Sequence, residues 1–299
     1  MGRGAHSVQV LGPLSAPGPR ARAGPERVLL PELRPRGVGE LLDTACDALG
    51  ARMGTCLALA VPLWLGVHAL ERLLISERVL AFDDPSDLGL LLGQGAVASA
   101  VRALTVALVT LVVYGYLQGQ RLSAPAALGA CLRRAPALLA LTVITGLGMF
   151  VATSCGAVCL FAPAVLLGWL WAAAPSALVL EGVGPFTALR RSAVLARQGF
   201  ARWVGIALVG KLVTLPFLGV IQVIQVPGAR DELRAALGCP EPLFTALEVL
   251  LSSVFSGSAA ALAGVVLTVY YIDQRVRVEG FDLDMRLERL RARSTEKVR

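Results

Sequence analysis

"VLEGVGPFTALRRSAVLARQGFARWVG" (residues 179–205) sets four arginines, Arg190, Arg191, Arg197 and Arg202, between two long apolar runs. A basic island in such surroundings is a nucleic-acid patch, an anion site or the joint between two membrane helices. The rest of the chain favours the joint. Of its 299 residues, 56% are hydrophobic and 16% charged, whereas soluble domains carry about 25% charged residues. A mean hydropathy of +0.68 argues against an exterior that faces water on every side.

Crossing the hydrocarbon core takes about 20 residues of helix. Six runs qualify: 53–75, 95–117, 136–154, 157–180, 203–224 and 245–272, with Leu88 as an earlier start for the second. The third and fourth meet at a tight turn, "TSCGAVC", and form a hairpin. Charge placement orients the set. With both termini cytoplasmic, the segment before the first span, 118–135, 181–202 and the chain from Asp273 hold 7, 3, 4 and 8 Lys/Arg, 22 in all. The outer loops hold Arg72, Arg78, Arg230 and Arg234 beside nine acids. A 22-to-4 division obeys the positive-inside rule, so the arginines of the opening segment lie where the bilayer places them.

The expected architecture is an all-α polytopic bundle of six membrane helices arranged as three hairpins. Residues 1–36 read as a disordered, basic, Pro/Gly-rich cytoplasmic tail without a signal-peptide core. Residues 37–272 form the membrane domain and 273–299 a charged cytoplasmic tail. In that tail, Leu283, Leu287 and Leu290 fit a short helix; the alternation around Phe281, Leu283, Met285 and Leu287 fits a strand, which would have no partner.

Each hairpin is expected to follow a short cytoplasmic amphipathic helix. Pro185 suits a first helical turn, and Phe186, Leu189, Ala193, Ala196 and Phe200 recur at spacings of three and four. Arg190, Arg191 and Arg197 lie off that stripe, facing lipid phosphates. Residues 37–59 and 122–141 precede the first and third spans in the same way. "VYGYLQGQR" (113–121) and "VYYIDQRVR" (269–277) end the second and sixth alike, with tyrosines expected at the water boundary.

Two stretches, "PSALVLEGVGPFTALRRSAVLARQGFARWVGI" (175–206) and "YYIDQRVRVEGFDLDMRLERL" (270–290), carry a family likeness. The matching positions are Pro175, Glu181, Gly182, Gly184, Ala188, Leu189, Arg191, Ser192, Leu195, Arg197, Phe200 and Trp203. Near the end they are Tyr271, Asp273, Arg275, Arg277, Glu279, Gly280, Phe281, Asp282 and Leu283. In these the chain resembles a bacterial six-helix integral membrane group labelled glycerophosphoryl diester phosphodiesterase membrane-domain-like. It departs from the group at Gln274, where leucine is usual. The resemblance implies a bacterial cytoplasmic membrane and a membrane domain without the soluble phosphodiesterase barrel.

Candidate chemistry is sparse. Cys46, Cys56, Cys131, Cys155, Cys159 and Cys239 show no zinc spacing and read as plain thiols. His6 and His68 stand apart, and no phosphate loop, G-x-S-x-G or HExxH motif is present. Arg102 and Lys211 lie within spans, where a central cation costs roughly 2.5–3.5 kcal/mol on insertion scales. They would line an anion or lipid-headgroup cavity, or else pair internally (Arg102 with Glu248) and snorkel. Glu181 is expected to pair with Arg190, Arg191 or a neighbouring arginine and fix the joint. Pro163, Pro175 and Pro216 are expected to kink or end helices. The sequence therefore predicts a non-enzymatic membrane protein with no metal or cofactor. It would act through lipid or protein contacts at its basic face, with Arg102, Lys211, Glu181, Arg190, Arg191 and Arg197 as candidate anion or lipid contacts. The expected partners are membrane lipids and another membrane protein, not nucleic acid. The alternative is a small transporter or export accessory for an anionic or lipid substrate.

Overall fold

The computed structural model describes residues 36–75, 85–120, 122–156, 162–197 and 199–280, and every regular element among them is α-helical. α1 (Val38–Ile75) fuses the expected interfacial helix with the first span. Gly50 and Gly54 face open space without left-handed φ, so nothing there interrupts the helix. α2 (Pro85–Leu117) begins before both starts considered for the second span. The next unit does divide, into α3 (Ala124–Leu132) and α4 (Ala135–Gly156), at a turn through Arg133 and Arg134.

The fourth run breaks into α5 (Ala162–Trp171) and α6 (Ala174–Glu181), with Pro175 in the first turn of α6. Proline lacks an N–H and its ring clashes with the preceding turn, so the helix restarts there. Groups freed at a break inside an apolar bundle need partners. The Ser192 hydroxyl supplies them, donating to the Leu170 carbonyl at 2.7 Å and accepting the Ala173 N–H at 3.2 Å. Ser192 belongs to α7 (Pro185–Ala196), the helix of the opening segment.

α8 (Phe200–Gln225) occupies the fifth expected run and continues through Pro216, which does not end it. α9 (Pro227–Leu237) lies in an expected loop; Pro227 in its first turn and Gly238 with φ 60° at its end were its marks in the sequence. α10 (Glu241–Glu279) runs past the expected end at residue 272 and stops at Gly280, φ 64°. The question of helix or strand at 281–291 lies outside the described residues, as do residues 1–35 of the tail.

Among the described residues five segments are long and apolar enough to cross a membrane: Val38–Leu73, Val97–Leu117, Ala135–Thr153, Ala162–Glu181 and Glu241–Glu279. α1 and α10 run antiparallel, because Arg36 meets Asp273 at one end and Arg72 meets Glu248 at the other. Small residues let them close: a Cβ on Gly257 would lie 3.0 Å from the Val61 Cα, and one on Gly264 would lie 3.0 Å from Val109 of α2. Such approach replaces the hydrophobic drive that lipid removes. The buried Thr110 hydroxyl joins three helices, at 3.1 Å from Ser176 and 2.9 Å from Thr268.

Candidate functional site

The buried ion pairs gather toward the two ends of α10. The 25 residues from Glu248 to Asp273 rise about 37 Å at 1.5 Å per residue, against roughly 30 Å of hydrocarbon. The two clusters therefore frame an apolar slab.

At the Asp273 end, the two stretches that carry the family likeness meet. Glu181, buried at the end of α6, accepts the Arg191 Nε–H on both oxygens at 3.0 and 2.9 Å and accepts the Tyr271 hydroxyl. Arg275 Nε stands 3.7 Å from the same carboxylate. Arg191 also donates to Glu279 at 2.8 Å, and Arg275 donates to Glu279 at 3.1 Å. Burial alone would lower the Arg191 pKa; the Glu181 and Glu279 carboxylates more than reverse this and hold it above its ordinary value. Beside this network, buried Asp273 accepts the Arg36 backbone N–H at 2.8 Å, Arg202 at 2.8 Å and Arg277 at 3.0 Å. Arg277 returns to the Arg36 carbonyl at 2.6 Å. The starts of α1, α8 and the last turns of α10 are thus tied through one carboxylate.

Arg134, in the turn before α4, donates to the Leu178 carbonyl at 2.7 Å and lies over Gly182. Gly182 has φ 69°, and a Cβ there would sit 2.8 Å from the Arg134 guanidinium. A side chain in the left-handed region costs roughly 1–2 kcal/mol. Gly182→Ala is expected to lower stability by at least that much, read as the midpoint of unfolding in mixed micelles; an unchanged midpoint would mean that the turn relaxes freely.

These contacts revise the expected site. Glu181 does fix the joint, but through Arg191, which points inward and not at lipid. The buried face of α7 is Ala188, Leu189, Ser192, Leu195 and Ala196; Phe186 and Phe200 of the expected stripe face outward. The Ser192 and Arg191 contacts set this rotation. Arg190 and Arg197 are exposed, as are Arg102 and Lys211. Arg102 does not meet Glu248, whose carboxylate is held by Arg72 and by Arg230, the latter at 3.2 Å. Tyr271 is fully buried on Glu181 instead of seeking water. The i,i+4 pairs Asp273–Arg277 and Arg275–Glu279 were readable helical partners that the expected span end at 272 hid.

His68 lies in a three-residue chain. Its Nδ1 is 2.8 Å from Glu71 and its Nε2 is 3.1 Å from the Ser256 hydroxyl. Acid, imidazole and hydroxyl in that order is the connectivity of an activated nucleophile. Ser256, however, sits inside α10, whose neighbouring backbone N–H groups bond within the helix and offer no donors to an oxyanion. The chain reads as a tie between α1 and α10. A fluorophosphonate probe is expected to leave Ser256 unmodified by mass spectrometry; labelling would establish a reactive serine. Among the described residues no cluster of His, Cys, Asp and Glu could hold a metal ion.

Membrane-length helices packed around α10, with ion pairs at both ends and an apolar middle, define a multi-pass α-helical membrane protein. Comparisons with protein-family models, curated proteins and solved structures find no match to this chain.

Proposed function

We propose that this chain is a six-span protein of the bacterial cytoplasmic membrane, akin to the group its two polar stretches resemble, with both termini cytoplasmic. In this reading α8 is the fifth span, its 26 residues amounting to about 39 Å of helix, and the Asp273 end faces the cytoplasm. The protein acts there without catalysis, by binding anionic lipid headgroups.

One observation carries this reading. Phe186, Arg190, Val194 and Arg197 form an outward stripe along α7 and its C-cap, while Glu181 and Asp273 at that end are buried against other arginines. Among the described residues no ion pair holds Arg190 or Arg197, so both cations are left at the surface. An interfacial helix with such a stripe sinks its apolar side chains below the phosphates and meets them with its guanidinium groups. α3 repeats the arrangement with exposed Leu128, Leu132 and Arg133. The transport alternative needs Arg102 and Lys211 along an interior path, and both lie on the outer surface.

Native mass spectrometry after extraction in phosphatidylglycerol or phosphatidylcholine tests the binding. Near an anionic surface an arginine is worth about 1 kcal/mol, so two correspond to roughly 30-fold. The double variant Arg190→Gln/Arg197→Gln is expected to lose phosphatidylglycerol retention to about that extent, with phosphatidylcholine unchanged. Equal retention would refute the proposal.

Cysteine labelling tests the orientation. Cys131 is a poor reporter on either side: it is fully buried, and burial, tempered by Arg134, pushes its thiol up to about 11. Cys46 is exposed and Cys239 partly so. An impermeant maleimide outside intact cells is expected to label Cys239 and to reach Cys46 only after permeabilisation. The reverse order would invert the topology.

A further inference from the structure

We propose that the outer face of α8 is a docking site, within the membrane, for a helix of another protein that carries an aspartate or glutamate at mid-depth. The inference rests on α8 being a span. Val204, Leu208, Lys211 and Leu215 recur at spacings of four, three and four, and all four side chains are exposed. That spacing is the seam along which one helix packs against another, and a single charged residue in such a seam selects the partner and its register.

Lys211 occupies the seam's centre. Arg202, paired with Asp273, marks the basic end of α8, and Lys211 lies nine residues further on, about 14 Å along the axis. With roughly 30 Å of hydrocarbon in all, that is close to its middle. A four-carbon stem cannot bridge that depth, and among the described residues no carboxylate pairs with Lys211. Among the described residues the three buried carboxylates are all taken: Glu181 by Arg191, Glu248 by Arg72 and Arg230, and Asp273 by Arg202 and Arg277. A second copy would bring lysine against lysine and offer no free acid at that depth. The complementary occupant is therefore a different chain with an acidic side chain in its span.

Energy transfer between labelled protein and synthetic apolar helices in phosphatidylcholine vesicles tests this. A Leu/Ala helix with one central aspartate is compared with the same helix bearing leucine there. The aspartate helix is expected to bind at least tenfold more tightly. Lys211→Leu, an apolar exchange that the bundle tolerates, should abolish the difference; Lys211→Glu should transfer the preference to a lysine-bearing helix. Equal binding of the two helices, or a preference that survives Lys211→Leu, overturns the proposal. So does self-association of the protein that is unaffected by Lys211→Leu. Lys211→Cys in the same vesicles separates the two readings. Alkylation by an impermeant maleimide from either side means that α8 does not span, whereas protection without a helix preference refutes the docking site alone.

Discussion

Glu181→Ala is expected to destabilise the protein by about 3–5 kcal/mol, the usual penalty for removing one member of a buried ion pair. Two groups lose an acceptor together, the Arg191 guanidinium and the Tyr271 hydroxyl, and Arg275 loses a neighbouring charge. Arg191 and Arg275 keep Glu279, but the Tyr271 hydroxyl is fully buried and is left without a partner. Glu181→Gln preserves an acceptor for the tyrosine while removing the charge, so it should fall between wild type and alanine. Pairing Glu181→Ala with Arg191→Met should cost less than the two changes separately, because the second removes the cation stranded by the first. Unfolding in mixed micelles compares the three single variants and the double variant with wild type. A penalty for Glu181→Ala below about 1 kcal/mol, the range of solvated pairs, would show that water enters the joint.

The importance of Glu181 was legible, because it is the only acid between Asp87 and Asp231. Its choice of partner was not. Arg190 and Arg191 are neighbours on a helix, where successive side chains point about 100° apart, so the two do not reach the same partner. Which one meets Glu181 depends on how α7 is rotated, and Ser192 sets that by bonding to a break in a different helix. The five membrane-length segments found among the described residues were legible from apolar length alone. Their joints were less so: Pro175 divides a run because it falls where a helix can restart, yet Pro216 sits inside α8 without ending it. α9 was missed because its charges and short length resemble a loop, although Pro227 and Gly238 bracket it as helix ends. Long-range ties such as Asp273 to the Arg36 backbone leave no local mark, since the donor is a main-chain N–H that every residue but proline has.

Glu248→Ala is the second large effect, again about 3–5 kcal/mol, and the contrast with its neighbour Glu241 isolates the cause. Both carboxylates meet Arg230, Glu248 at 3.2 Å and Glu241 at 2.6 Å. The Glu248 side chain is 2% exposed and that of Glu241 is 46%. Distance alone would rank Glu241 as the stronger partner. Burial reverses the order, because water screens an exposed pair and takes over its solvation when it is broken. Removing Glu248 leaves Arg72 without that carboxylate and beside Arg230, which disfavours its charge, while α9 keeps the exposed Glu241 and the Thr245 hydroxyl as ties to α10. Glu241→Ala should leave the unfolding midpoint nearly unchanged, since Glu248 still holds Arg230. Adding Arg72→Met to Glu248→Ala should recover part of the loss by removing one of the two repelling cations. If Glu241→Ala instead proved the more damaging change, hydrogen-bond length and not burial would govern this end of the bundle.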